Sequence, residues 1–245
     1  MEYIYAIILG IVQGLTEFLP VSSSGHLVLA SEYLKFEQPG VLFEAILHIG
    51  TTLAVIWYLR DRILKISFQE IKLIVVATIP AALAGVLLRE QLEALFSLIK
   101  LVGITFLISA YMNFKVDKYN GKKEHIDFWD ALIIGVFQAI AIIPAISRSG
   151  ATIYAGTRMN LDKKKAAEFS FLISIPAIIG ANVVEFISHG GNGDFSPLLG
   201  LVGLIAAFIS GIIAIHFLLS MLMQNKFKVF GYYLIVVGVI TLLFL

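Results

Sequence analysis

The chain has 245 residues, of which 59% are hydrophobic and 14% charged, with a mean hydropathy of +0.92. That is too apolar for a soluble domain, whose core must be covered by polar surface, and it reads as a multi-pass membrane protein. A formal net charge of +1 excludes a chain built to hold nucleic acid, and the lack of cysteine excludes a disulfide framework or thiolate metal site.

The N-terminus carries no basic region and no small-residue cleavage site, so it is read as mature sequence. The first apolar stretch, residues 2–19, is interrupted at Pro20 and resumes over 26–34 after Val21-Ser22-Ser23-Ser24-Gly25. Two half-length segments around a Ser/Gly turn predict a re-entrant helical hairpin, because irregular backbone is tolerated at membrane depth where protein or water surrounds it. Crossing a hydrocarbon layer of about 30 Å takes about 20 residues. Three runs near that length follow, at about 41–59, 71–88 and 98–114. After a charged loop at 115–126, residues 127–143 and 150–160 repeat the broken pattern around Pro144, and three more spans follow at about 166–187, 198–221 and 229–245.

The two broken segments look like copies. Gly10-Ile-Val-Gln13 corresponds to Gly135-Val-Phe-Gln138, and in each copy the Gln lies twelve residues before the Gly that closes the Ser-rich turn, Gly25 or Gly150. A hairpin returns to its own side and three crossings do not, so the second copy starts on the opposite face and the repeats are inverted. The predicted fold is an all-α membrane protein, a single membrane domain with six transmembrane helices plus two re-entrant helical hairpins. Its inverted-topology repeats cover about 1–114 and 127–245, joined by a cytoplasmic loop at 115–126. Of 18 Lys and Arg residues, 14 fall in the 60–72, 115–123, 158–165 and 226–228 loops, against Lys35, Arg89 and Lys100 on the other face and Arg148 inside. The positive-inside rule makes the first face cytoplasmic, which puts both termini and the Gly-rich loop from His189 to Ser196 outside a plasma membrane.

Glu17, His26 and Arg148 are costly inside apolar stretches, which marks them as functional candidates. A helix beginning after Ser22-Ser23-Ser24-Gly25 offers free N–H groups, hydroxyls and a positive dipole end, all suited to phosphate. Ser147-Arg148-Ser149-Gly150 repeats the arrangement and adds a guanidinium, whose planar donors match phosphate oxygens in pairs. Together the turns predict a two-sided diphosphate clamp, with Glu17 and His26 able to exchange a proton and Gln13 sharing the helix face of Glu17. Glu44 and His48, also four apart, either line the cavity or make an interhelical contact. Glu168 and Glu185 lie near helix ends, where snorkelling or capping accounts for them, and His216 reads as packing. Gly10, Gly14, Gly135 and Ala139 read as close helix contacts.

Gly14-Leu-Thr-Glu17-Phe-Leu-Pro-Val-Ser-Ser-Ser-Gly-His26, Ser147-Arg-Ser-Gly-Ala-Thr152 and Glu168-Phe-Ser-Phe-Leu with Ile175-Pro176 resemble the signature blocks of the undecaprenyl-diphosphatase, or bacitracin-resistance, family. The resemblance extends through Phe43-Glu44 and Ile79-Pro80-Ala81. It implies a membrane phosphatase that takes the terminal phosphate from a polyprenyl diphosphate lipid, with Glu17, Ser23, His26 and Arg148 at catalytic positions and the pocket open to the outer face. Ser23 would be the nucleophile, Glu17 its base, and Gln13, Ser22, Ser24, Gly25, Ser147, Ser149 and Gly150 the substrate contacts. A divalent cation, Mg²⁺ or Ca²⁺, bridging Glu17 and the diphosphate is the cofactor the resemblance implies. Two departures stand out: Gln13 replaces the first Glu of some members, and Ala145 replaces the usual Gly after Pro144. The competing expectation is an inverted-repeat secondary transporter or lipid flippase, which shares this architecture. Against it, Glu17 aligns with Ile142, Ser23 with Arg148 and His26 with Ala151, so the turns are chemically unequal.

Overall fold

The computed structural model describes residues 2–34, 41–96, 98–189 and 196–244; Lys35 and the Gly-rich run 190–195 lie outside them. The described chain is helical: α1 (Glu2–Phe18), α2 (Ser23–Leu34), α3 (Val41–Tyr58), α4 (Arg60–Ile63), α5 (Phe68–Leu87), α6 (Arg89–Phe96), α7 (Ile99–Val116), α8 (Phe128–Ile140), α9 (Arg148–Arg158), α10 (Lys163–His189), α11 (Pro197–Met223) and α12 (Lys228–Phe244). No strand forms among the described residues, and a lone bridge joins Lys123 to Leu161. Among the described residues four helices are long and apolar enough to cross a membrane: Phe68–Leu87, Ile99–Val116, Lys163–Ile187 and Pro197–Met223. The apolar helices at Leu42–Tyr58, Phe128–Ile140 and Lys228–Phe244 are shorter.

Helix starts follow local chemistry. Ser67 with Glu70, and Asp127 with Asp130, close reciprocal capping boxes on α5 and α8, satisfying N–H groups that have no partner within the helix. Ser196 caps α11, which opens on Pro197, a residue whose missing N–H costs nothing at that position. On the loop side, Asp117 accepts from the backbone N–H groups of Phe227 (3.1 Å) and Lys228 (2.9 Å), joining the end of α7 to the start of α12.

Association of apolar helices among lipid tails depends on close packing, since lipid is as apolar as leucine. Here it is achieved by small residues. α1 packs along α11 and α8 along α5. A Cβ added at Gly10 would lie 2.5 Å from Gly203 O, one at Gly14 2.5 Å from Ala207 O, and one at Gly135 2.6 Å from Ala77 O, so backbone meets backbone at all three. α7 pairs with α12, α3 with α11 and α10, and α9 fits between α7, α8 and α10. The central cluster, including Phe18, Phe106, Phe171, Leu218 and Phe230, fills the space behind the two broken segments. Large apolar side chains such as Ile4, Val86, Ile187, Ile213 and Leu243 face outward, as lipid contact requires. Glu168 and Glu185 make ion-pair contacts, Glu168 with Arg62 at 3.9 Å and Glu185 with Arg89 at 3.4 Å, where the sequence suggested helix-end snorkelling or capping.

Candidate active site

Pro20 lacks an N–H and has a fixed φ, so α1 ends at Phe18 and the chain turns over Leu19 to Ser22. Ser22 takes the left-handed conformation at φ 72°. Its carbonyl accepts from His26 N and its Oγ from Gly25 N, both at 3.4 Å, so α2 begins at Ser23 rather than after Gly25 as the sequence suggested. The second turn reaches a related end by a different path. Ala145 holds φ 60°, the conformation in which glycine is favoured, and Ser147 caps α9 through Gly150 N at 3.1 Å. The alanine keeps the left-handed backbone despite its Cβ.

Helix α7 braces both turns. Asn113 Nδ2 donates to Pro20 O at 2.7 Å, while Ser109 Oγ donates to Ala145 O at 3.3 Å and accepts from Ser147 N at 3.0 Å. Ser149 Oγ completes the join by donating to Leu19 O at 3.2 Å, from the second turn to the first. Gly25 and Gly150 are small for the same reason: a Cβ would lie 2.6 Å from Phe106 Cζ in one case and 2.9 Å from Asn113 Oδ1 in the other.

The two turns meet at Glu17. Its Oε1 accepts from Arg148 Nη2 at 2.5 Å, and its Oε2 accepts from Ser23 Oγ at 2.8 Å and Gln13 Nε2 at 3.0 Å. Phe18 packs edge-on against Phe171, 5.7 Å between ring centres, which fixes the end of α1 that carries Glu17. Glu17 and Gln13 are buried, as a charge or amide in an apolar surround must be paired to be tolerated. Arg148 Nη1 also reaches Ser170 O at 3.4 Å, so among the described residues two of the five guanidinium N–H donors are engaged and three remain. The first-turn N–H groups of α2 and α9 have no acceptor within their own helices.

Of the residues expected at the site, Gln13, Glu17, Ser23 and Arg148 thus form one connected set. Ser22 and Ser24 pair with each other at 3.3 Å, and Ser147 and Ser149 pair at 3.2 Å while serving as cap and cross-link. His26 is held apart from Glu17. Its Nδ1 lies 2.8 Å from Ser22 O, which can only accept, so Nδ1 carries the proton; Nε2 of the neutral ring then accepts from Tyr233 Oη at 2.7 Å. Tyr233 also stacks on the ring at 5.6 Å. Nothing in the sequence distinguished that tyrosine from an ordinary interfacial aromatic. His48 joins the cluster instead, 2.9 Å from Gln13 Nε2 and 3.6 Å from Glu17 Oε2. Its signal in the sequence was its spacing of four from Glu44 within an apolar run.

Gln138, the counterpart of Gln13, has no carboxylate partner among the described residues and donates to Ala77 O at 3.2 Å, bracing α8 on α5. Among the described residues no three His, Asp or Glu side chains converge as a cation cage. Glu17 is the one carboxylate of the cluster, its oxygens accept from Arg148, Ser23 and Gln13, and an amide occupies the position of a second acid. With one carboxylate the cluster is not an all-protein cation cage, and Glu17 would hold a cation only together with substrate oxygens. A cavity of about 530 Å³ lies elsewhere, bordered by Arg62, Glu70, His125, Lys165 and Glu168. It contains none of the site residues.

The fold and site define an all-helical, multi-pass membrane protein whose polar centre joins a carboxylate, a serine hydroxyl and a guanidinium beside two helix N-termini. The family profile of bacitracin resistance protein BacA matches residues 6–240, and the chain belongs to that family. It is 41% identical over 252 residues to undecaprenyl-diphosphatase 3 of Bacillus cereus, with 99% of this chain and 97% of the relative covered. It is 40% identical over 262 residues to undecaprenyl-diphosphatase of Korarchaeum cryptofilum, covering 99% of each, and 39% identical over 269 residues to that of Methanobrevibacter smithii, covering 98% and 97%.

Proposed function

We propose that the protein hydrolyses the terminal phosphate of a long-chain polyprenyl diphosphate, of the undecaprenyl type, to the monophosphate and free phosphate, recycling the lipid carrier of cell-envelope glycan synthesis. Family membership and near-full-length likeness to proteins named undecaprenyl-diphosphatase support the reaction. The observation that carries the chemistry is the Ser23–Glu17–Arg148 chain of hydrogen bonds.

In this reading Ser23 Oγ forms a bond to the terminal phosphorus as the bridging P–O bond breaks, and its proton passes to Glu17 Oε2, already 2.8 Å away. The remaining Arg148 side-chain donors and the N–H groups of Ser23 and Ser24 on α2 and of Arg148 and Ser149 on α9, ahead of the capped Gly25 and Gly150, hold the three oxygens of the transferring group, where most catalysis of phosphoryl transfer originates. Water then clears the phosphoserine. His26 Nε2, which carries a lone pair, accepts a proton from that water in place of the hydrogen bond it takes from the Tyr233 hydroxyl. A divalent cation, Mg²⁺ or Ca²⁺, would be held by Glu17 together with substrate phosphate oxygens and would supply neutralisation of their charge.

The finer topology is part of the same proposal: six spans and two re-entrant hairpins in inverted repeats, cytoplasmic at the basic loops, with the site open to the outer face. Three features support it. At 1.5 Å per residue α8 and α9 reach only about 20 and 17 Å, short of a bilayer core of about 30 Å. The packing of α1 on α11 mirrors that of α8 on α5, and α7 with α12 and α3 with α10 join corresponding elements. The 14 to 3 division of basic residues supplies the orientation. Purified protein in detergent, given farnesyl or longer prenyl diphosphates and assayed for phosphate, tests the activity. Stoichiometric release supports the phosphatase; a flippase alone would release none.

A further inference from the structure

Gln13 poses an accounting problem. Its side chain is fully buried, yet Oε1 has no hydrogen-bond partner among the described residues. Asn113 Oδ1 and Gln138 Oε1 are without a partner among the described residues in the same way, and what sets Gln13 apart is the other end of its amide. Nε2 has two hydrogens. One faces Glu17 Oε2 at 3.0 Å and the other faces His48 Nδ1 at 2.9 Å. An amide nitrogen can only donate, so His48 Nδ1 supplies a lone pair and its proton sits on Nε2. Turning the amide over would put Oε1 at 3.0 Å from the Glu17 carboxylate oxygen, acceptor against acceptor with no hydrogen between them. His48 sits within helix α3, where its backbone carbonyl accepts from Thr51 Oγ1 at 2.9 Å and Thr52 Oγ1 at 2.8 Å.

We infer that His48 is a positioning residue: its Nδ1 lone pair orients the Gln13 amide, which restrains Glu17 Oε2 at hydrogen-bonding distance from Ser23. A carboxylate rotates broadly about its last torsion, and the proton transfer from Ser23 needs one oxygen held in place. Arg148 restrains Oε1 alone. The chain from His48 through Gln13 therefore completes the placement of the base, and it draws on a helix outside both Ser-rich turns. The inference rests on the proposed role of Glu17 as base for Ser23.

The test compares acceptor and non-acceptor side chains at 48 under saturating prenyl diphosphate. His48→Leu removes the lone pair and should lower kcat on the order of tenfold to 10²-fold with KM little changed, since small misplacements of catalytic groups cost that much. His48→Asn places an oxygen at the branch position of Nδ1 and should stay within about threefold of the parent, a rescue that simple filling of space would not give. In a Gln13→Ala background, where the link is already cut, His48→Leu should add less than about twofold, the non-additivity expected of residues acting as one unit. If His48→Leu does not yield folded protein in detergent, His48→Phe, a ring without an acceptor, takes its place. Parent-like kcat in the non-acceptor variants, an asparagine variant as slow as leucine, or multiplying losses in the double variant would each overturn the inference. Glu17→Gln run alongside separates the two levels: if it retains turnover, the role of Glu17 as base fails, whatever the His48 series gives.

Discussion

Arg148 is shared. It pairs with Glu17 and, among the described residues, retains three N–H donors that suit phosphate, which an ammonium on a flexible stem cannot match in geometry. Arg148→Lys keeps the charge at that depth and loses the planar fork. It should fold normally and lower turnover by a factor on the order of 10², comparable with removing one transition-state donor. Near-normal turnover would reduce Arg148 to a counter-ion for Glu17. Ser23 is tested differently. Ser23→Ala should abolish turnover, and rapid quenching of the parent with terminally labelled diphosphate should leave label on Ser23. Label on His26 would reassign the nucleophile, and no label would favour direct attack by water.

At the scale of elements, the site depends on helices that touch no substrate. Ser109 and Asn113 on α7 hold Ala145 O, Ser147 N and Pro20 O, so one helix sets the spacing of both turns. Packing of α1 on α11 is equally restrictive. Gly14→Ala drives a methyl to within 2.0 Å of Ser210 Oγ, 2.5 Å of Ala207 O and 2.8 Å of Gly211 N, and two of these are backbone. The helices must separate, at a cost of about 1–3 kcal/mol for such overpacking. Gly180→Ala on α10 is the control, with nothing within 4 Å of the added methyl. Thermal unfolding in detergent should show Gly14→Ala clearly less stable than the parent and Gly180→Ala equal to it or above, since alanine favours the helix by about 1 kcal/mol over glycine. Equal melting of all three would mean that the α1–α11 contact is loose.

For the whole molecule the decisive question is which side each loop faces. The chain has no cysteine, so single cysteines report position directly. Gln91 and Lys122 are both exposed, on α6 and in the basic loop before α8. In the proposed topology an impermeant thiol reagent should modify Gln91→Cys in intact cells and Lys122→Cys only after lysis. A cysteine at Ser24 should react from outside and be protected by diphosphate. Labelling of both loops from one side would remove the inverted-repeat arrangement.

The membrane class, the breaks at Pro20 and Pro144, and the meeting of Gln13, Glu17, Ser23 and Arg148 in one hydrogen-bonded cluster were legible from sequence, because apolar run length, proline and charges in apolar segments are local signals. Pairing is not local. That His48 rather than His26 adjoins Glu17 depends on how α3 is rotated against α1, and a histidine in an apolar helix carries no mark of the partner it will face. The same holds for Tyr233 beside His26, and for Ser109 and Asn113 behind the turns. Gln138 shows the converse: its alignment with Gln13 is local, yet with isoleucine at 142 it meets no carboxylate and serves packing alone. The sequence by itself determined which residues could not be left facing lipid; the tertiary structure decided which of them meet, because burial requires each buried polar group to find a partner and only the packed helices determine which one is in reach.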